Sequence, residues 1–73
     1  SKSQIQALRL IAQGKTNQQI ADIRQRSLAA TESLVTRTLA AIGIATASDG
    51  NARVDAARQF MTSVGVPRED LAP

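Results

Sequence analysis

The 73-residue sequence predicts a small all-α domain of four helices. Hydrophobic residues make up 42% of the chain and aromatic residues only 1%, so the core must be built from Ile, Leu, Val and Ala. Ala and Leu favour helices, and no β-branched run alternates strictly with polar residues as a half-buried strand would. Capping residues and glycines then divide the chain into helical segments.

Two capping boxes begin the first two helices. Ser1-Lys2-Ser3-Gln4 precedes a helix predicted over residues 2–13, and Gly14 ends it in a left-handed conformation. Thr16-Asn17-Gln18-Gln19 is the second box and begins a helix predicted over residues 17–25. The predicted inward residues are Ile5, Leu8, Ile11 and Ala12, followed by Ile20 and Ala21.

The third helix follows a polar interruption. Residues 24–27 break the apolar pattern and predict a turn, with Ser27 as the N-cap of a helix over residues 28–42. Gly43 ends this helix, and Ile44 is placed to pack back on its last turn. Its predicted inward stripe comprises Leu28, Thr31, Leu34, Val35, Thr38, Leu39 and Ile42.

A loop and a fourth helix complete the predicted domain. Residues 45–51 form a loop by composition, and Asp49-Gly50 is its strongest turn signal. A fourth helix is predicted over residues 52–64, with apolar residues Val54, Ala57, Phe60, Met61 and Val64. The domain is therefore predicted over residues 1–65, and residues 66–73 are expected to form a flexible C-terminal tail.

The charge is distributed unevenly between the two halves of the chain. Residues 1–37 carry six basic and two acidic side chains, a balance of +4. Residues 38–73 carry three basic and four acidic side chains, a balance of −1. A basic half suits a surface that faces a polyanion, and it suits ordinary solvation equally well.

The composition argues against an enzyme. The chain has no Cys and no His, which excludes disulfides, the usual zinc sites and His-based catalysis. Its six carboxylates are scattered, no nucleophile has a base beside it, and no Gly-rich phosphate loop is present. We expect no cofactor and no metal. No apolar run approaches the ~20 residues of a membrane span and no signal peptide precedes the first helix, so the expected location is the cytoplasm.

Four features resemble one family of DNA-binding domains. They are the Ser1-x-x-Gln4 opening, the segment LRLIAQGKTNQQIA (residues 8–21), the 25-residue run from Ile20 to Ile44, and LAAIGI (residues 39–44). Together they resemble the LuxR-type helix-turn-helix family, also called GerE or NarL/FixJ type. The likeness covers residues 1–44 well and residues 52–61 loosely.

The resemblance implies a four-helix helix-turn-helix fold and a function. The second helix of this motif enters the major groove of DNA, which makes residues 28–42 the expected recognition helix. The implied protein is the DNA-binding output domain of a bacterial transcriptional regulator. Its expected partners are double-stranded DNA and an N-terminal sensory or receiver domain that controls it.

The sequence departs from the family at the turn and at the start of the recognition surface. Arg24-Gln25-Arg26-Ser27 stands where the family has Leu-Gly-Ile-Ser, and Ala30-Thr31-Glu32 stands where it has Thr-Val-Lys. If the backbone at Gln25 needs φ > 0, which Gln tolerates poorly, we expect a reshaped turn. Ile23 and Leu28 flank the turn and are expected to fill the space of the missing leucine.

The family positions assign DNA contacts to particular residues. Glu32, Ser33 and Thr36 take the base-edge positions, and Arg37 takes a phosphate position. A solvated acid near a helix N-terminus remains the alternative for Glu32, and plain solvation for Arg37. The predicted DNA-binding set is Lys15, Thr16, Asn17, Arg24, Arg26, Thr31, Glu32, Ser33, Thr36 and Arg37.

Some members of this set have other origins or other roles. Thr16 and its neighbours cap the second helix whether or not they also contact the DNA backbone. Arg24 and Arg26 belong to the set by our own inference, as turn cations that replace the missing lysine. Arg53 and Arg58 are expected to lie on a solvated face.

The fourth helix often forms the dimer contact in this family. The resemblance therefore implies a homodimer through this helix, in the region of Met61. Phe60 is expected in the core, and Met61 is left open between core and interface.

Two other functions remain open. A LuxR-like domain that has lost sequence-specific DNA reading would act as a protein-interaction module, and the altered turn favours it. A domain like region four of sigma factors uses the same motif to bind promoter DNA, but the first segment fits the LuxR type better.

Overall fold

The computed structural model describes residues 1–44 and 50–73, and in these residues the fold is all-α, as predicted. The α-helices are α1 (Lys2–Ala12), α2 (Asn17–Arg24), α3 (Leu28–Ala41) and α4 (Gly50–Ser63). A short 3₁₀ helix, Arg68–Leu71, follows them. The described residues contain no strand and no helix that is long and apolar enough to cross a membrane.

The helices begin where the capping residues predict. Both capping boxes form: Thr16 N donates to Gln19 Oε1 over 2.8 Å, and Gln19 N donates to Thr16 Oγ1 over 3.1 Å. Ser1 and Gln4 pair in the same way, and Ser27 caps α3. α4 begins at Gly50, slightly earlier than predicted, and residues 45–49 of the predicted loop lie outside the described residues.

All four α-helices end in the same hydrogen-bonded turn. In each, an N–H just beyond a left-handed residue donates to the carbonyl five residues back, over 2.9–3.1 Å. The left-handed residues are Gly14, Gln25, Gly43 and Gly65. Gly43 thus has the predicted conformation, with φ +84°. Gln25 adopts φ +56° and ψ +45°, so the turn after α2 takes the left-handed conformation without glycine.

The core lies around α1. This helix packs against α3, α4 and the 3₁₀ helix, whereas α2 packs mainly on α3. Ala12 and Ala57 are fully buried, and such small side chains let neighbouring helices approach closely. The core cluster is Leu8, Ile11, Ala12, Ile20, Val35, Leu39, Ala57, Met61 and Leu71.

Several apolar residues that we expected to be inward are exposed. Their exposed fractions lie between 40% and 61%, and they are Ile5, Ile23, Leu28, Phe60 and Val64. The buried stripe of α1 centres on Ala7, Leu8, Ile11 and Ala12, which leaves Ile5 at its edge. Leu28 precedes the buried part of α3, which begins at Thr31. Ile23 and Leu28 therefore do not fill the space of a missing leucine.

The C-terminal segment corrects the expectation of a flexible tail over residues 66–73. Leu71 is 1% exposed and belongs to the core cluster, because the 3₁₀ helix packs on α1 and α4. Two hydrogen bonds hold it there: Gln13 Nε2 donates to Asp70 O over 3.2 Å, and Arg58 Nη2 donates to Leu71 O over 3.5 Å. The domain thus extends at least to residue 71.

Two buried threonines of α3 differ in how their hydroxyls are satisfied. Thr38 Oγ1 donates to Leu34 O over 2.7 Å. Thr31 Oγ1 has no hydrogen-bond partner among the described residues, and the residue is 0% exposed. A buried polar group without a partner costs about 1–3 kcal/mol of desolvation.

Replacing Thr31 by valine should therefore stabilise the domain. We expect Thr31→Val to raise the free energy of unfolding by about 1 kcal/mol, because the shape is kept and the unsatisfied hydroxyl is removed. Thr38→Val is the matched control, and it should give no gain because it removes a hydroxyl that is bonded. Urea denaturation measures both; equal effects of the two changes would contradict this account.

Gln25→Gly should also stabilise the domain. A side chain in the left-handed region costs roughly 1 kcal/mol relative to glycine, and glycine's greater freedom in the unfolded chain offsets part of that gain. We expect a net gain of about 0.5–1 kcal/mol in thermal or urea unfolding. Gln59→Gly, on the exposed side of α4, should instead cost about 1 kcal/mol. A loss of stability in Gln25→Gly would rule out the strain.

Candidate nucleic-acid interface

α3 presents four of the predicted residues to solvent. Glu32, Ser33, Thr36 and Arg37 are exposed and share one side of the helix, which we call the α3 outer face. Thr36 Oγ1 donates to Glu32 O over 2.8 Å, and Arg37 Nε donates to Ser33 O over 3.3 Å. In the described residues, the Glu32 carboxylate, the Ser33 hydroxyl and the Arg37 Nη groups have no partner. These groups are open to a ligand.

Thr31 does not belong to the α3 outer face. It lies on the buried side of α3 with Leu34, Val35 and Thr38, and its side chain is fully buried. A buried hydroxyl cannot reach a base edge without local unfolding. The prediction that Thr31 contacts DNA is therefore wrong, and the residue belongs to the core.

The N-terminus of α2 carries the second group of predicted residues. The capping box satisfies the N–H groups of Thr16 and Gln19, whereas those of Asn17 and Gln18 have no partner in the described part of the chain. Unpaired N–H groups and the helix dipole favour an anion at this end of a helix. Lys15, which immediately precedes the cap, adds a full positive charge.

Arg53 holds this segment in place, a role that no local sequence pattern indicates. Its Nη1 donates to Asn17 Oδ1 over 2.9 Å, and its Nη2 donates to Lys15 O over 2.9 Å. Burial lowers the pKa of the Arg53 guanidinium, which nevertheless stays charged near neutral pH. Because Asn17 Oδ1 is occupied, Nδ2 is the group of this side chain that is left to donate to a ligand. The expectation of a solvated Arg53 is wrong.

A cleft of about 740 Å³, which we call the polar cleft after the polar side chains in its lining, brings several of these residues together. It lies where the α2 N-terminus meets α3 and the start of α4. Its polar lining comprises Lys15, Thr16, Asn17, Glu32, Thr36, Asn51 and Arg53. Ser33 and Arg37, on the α3 outer face, and the turn cations Arg24 and Arg26 are not part of this lining. The predicted set therefore divides into a cleft group and a flanking group.

The two turn cations differ in their environment. Arg24 is half-buried, and its Nε donates to Gln6 Oε1 over 2.9 Å, which ties the end of α2 to α1. Arg26 is exposed, and its side chain has no partner in the described residues. Arg26 is thus the freer of the two for a phosphate contact.

No described lysine or arginine forms an ion pair with a described carboxylate. The bonded arginines Arg53 and Arg58 donate to neutral oxygens, with Arg58 Nε donating to Ala12 O over 2.7 Å. Arg58 is exposed, as expected, and this bond also ties it to the end of α1. Neutral acceptors leave the positive charge uncompensated, so these cations keep their attraction for a polyanion.

The surface of α4 differs from the one expected for a dimer contact. Met61 is 2% exposed and lies in the core, so it cannot form an interface. Phe60, which we expected in the core, is 42% exposed. Phe60 and Val64, rather than Met61, are thus the exposed large apolar side chains in and just after α4.

Arg53→Ala should destabilise the domain and disturb the α2 N-terminus. It removes two charge-assisted hydrogen bonds, so we expect a loss of about 1–2 kcal/mol in urea unfolding and altered amide shifts at Lys15 and Asn17. Arg68→Ala is the control, because Arg68 is exposed and bonds no described residue through its side chain. Equal stabilities of the two variants would show that Arg53 does not hold this segment.

Comparison with known proteins gives no match. No protein-family model, no curated protein and no solved structure is similar to this chain at the level that counts as a match. An account of function therefore depends on the residues themselves. The features that such an account can use are the polar cleft, the α3 outer face and the uncompensated cations beside them.

Proposed function

We propose that this chain is the DNA-binding output domain of a bacterial transcriptional regulator of LuxR type, with α3 as the recognition helix in the major groove. The observation that carries the proposal is the polar cleft, where the capped N-terminus of α2 adjoins the exposed side of α3. A helix-turn-helix domain needs this arrangement, because phosphate contacts at one helix position the next helix in the groove.

In this proposal the α2 side of the cleft, with Lys15 and Asn17, binds the DNA backbone. The free N–H groups of Asn17 and Gln18, the Asn17 Nδ2 group and the Lys15 ammonium donate to phosphate oxygens. Arg53 keeps Lys15 and Asn17 in position through its two hydrogen bonds. Each phosphate that a cation neutralises releases counterions, so binding weakens as salt rises.

The α3 outer face then contacts the bases and the flanking phosphates. Ser33 and Thr36 have hydroxyls that suit several base edges, and Glu32 is an acceptor suited to a cytosine amino group. Arg37 lies along the helix and extends its free Nη groups to a phosphate. A sensory or receiver domain would control this output domain in the cytoplasm, and no cofactor takes part.

A protein-interaction module is the second candidate, and two observations favour it. Glu32 lines the polar cleft, where its negative charge repels phosphate. Ile23 and Leu28, on either side of the turn, are 51% and 40% exposed, and they would face water or a protein better than a phosphate backbone.

Binding to duplexes should separate the two candidates. We expect the parent chain to bind duplexes of randomised sequence with a Kd of about 10⁻⁴ to 10⁻⁶ M at physiological salt, measured by fluorescence anisotropy. Glu32→Lys should bind all duplexes more tightly and lose about 1–3 kcal/mol of preference at the position that Glu32 reads. Arg37→Ala should weaken binding to all sequences about equally, since phosphates carry no sequence information.

Matched charge changes on the 3₁₀ helix are the controls. Glu69→Lys and Arg68→Ala alter the net charge as much, but outside the polar cleft and the α3 outer face. If Glu32→Lys behaves like Glu69→Lys, and Arg37→Ala like Arg68→Ala, α3 does not enter the groove. The interaction module would then be the better account.

A further inference from the structure

An apolar groove lies between α1 and α4, beside the C-terminal end of α3. Its volume is about 410 Å³, and it is lined by Ile5, Leu8, Ile42, Phe60, Met61 and Val64 among others. Ile5, Phe60 and Val64 are 56%, 42% and 61% exposed, so large apolar side chains meet water here. We call this feature the α1–α4 groove.

The α1 side of the groove carries basic side chains. Among the described residues, Arg9 is the one charged side chain in the groove lining. Lys2 lies three residues before Ile5 and Arg9 four residues after it, so the three share one side of α1. Both basic residues are exposed, and neither pairs with a carboxylate in the described part of the chain. An apolar side chain between two uncompensated cations suits a partner that is apolar with an acidic flank.

A second copy of this chain fits the groove poorly. A stable interface buries about 800 Å² on each partner, which is more than a sixth of the 4543 Å² surface of this domain. The groove offers three exposed large apolar side chains towards such an area. We call Lys2 and Arg9 together the basic ridge. A two-fold contact through the groove would also bring the basic ridge of one copy towards that of the other, and like charges at an interface are costly.

We propose that the α1–α4 groove binds one amphipathic helix of a partner protein, with apolar residues spaced i, i+3/i+4, i+7 and carboxylates along one flank. Helices dock in grooves through such anchors, and the exposed Ile5, Phe60 and Val64 provide the contact surface for them. The carboxylates pair with Arg9 and Lys2. The α3 outer face is not part of the groove lining, so a partner helix and a duplex bind independently.

A designed peptide tests the proposal. The probe is a fluorescein-labelled helix of about 18 residues with Leu at the anchor positions, Glu along one flank and Ala elsewhere. We expect saturable binding to the 73-residue chain with a Kd of about 10⁻⁵ to 10⁻⁴ M. The same residues in scrambled order, and a version with Lys for Glu, should bind at least about tenfold more weakly.

Variants of the chain locate the binding surface. Ile5→Ser and Val64→Ser should each weaken binding of the probe about tenfold, since each removes an apolar contact. Ile23→Ser is the control for Ile5→Ser, because Ile23 is 51% exposed but does not line the groove. Arg9→Glu should also weaken binding, whereas Arg68→Glu should not. Val64 is more exposed than Ile5, 61% against 56%, so Val64→Ser should disturb folding less, which circular dichroism checks.

Four results would overturn the proposal. The first is no saturation up to about 1 mM, and the second is equal binding of the ordered and scrambled peptides. The third is displacement of the probe by a duplex, which would make the basic ridge part of a nucleic-acid site. The fourth is a concentration-dependent dimer in sedimentation equilibrium that Ile5→Ser abolishes and Ile23→Ser does not, which would make a second copy the occupant.

Discussion

The packing of α1 against α3 and α4 is the interaction on which the rest of this structure depends. With few large side chains available, the core forms because Ala7, Ile11, Ala12 and Ala57 are fully buried and the helices approach closely. Arg58 then bonds the free carbonyl of Ala12 at the end of α1, and Gln13 bonds the backbone of the 3₁₀ helix. Every surface described above is positioned by its attachment to this centre.

Local signals in the sequence were enough to predict the helices. Capping boxes and glycines act over a few residues, so the starts at Lys2 and Asn17 and the left-handed Gly43 follow from sequence alone. Whether an individual side chain is buried or exposed depends on which neighbouring helix covers it. Periodicity placed Ile5 and Phe60 inward because it gives a helix face but not the width of the covered stripe.

The candidate site was predictable in its helical parts and unpredictable where distant segments meet. The α3 outer face follows from spacing along one helix. The bonds from Arg53 to Lys15 and Asn17 join residues that are 38 and 36 positions apart, and no local pattern indicates such a contact. Thr31 stood both in the predicted inward stripe of α3 and in the predicted DNA-binding set, and the packing of α3 decides for the buried position.

The modest anchoring of α2 has a consequence for ligand binding. Only Ile20 and Ala21 of this helix are buried, its final turn carries the strained Gln25, and hydrogen bonds from Arg24 and Arg53 hold its two ends. A helix with so little buried apolar surface opens at lower free energy than the α1 core, and its amides should exchange first. Any anion bound at its N-terminus favours the closed form, so part of the binding free energy is used to order α2. Substitutions that lower the stability of α2 would then weaken anion binding even where the substituted residue does not contact the anion. The affinity for an anion at this end of the molecule thus reports on the local folding of α2.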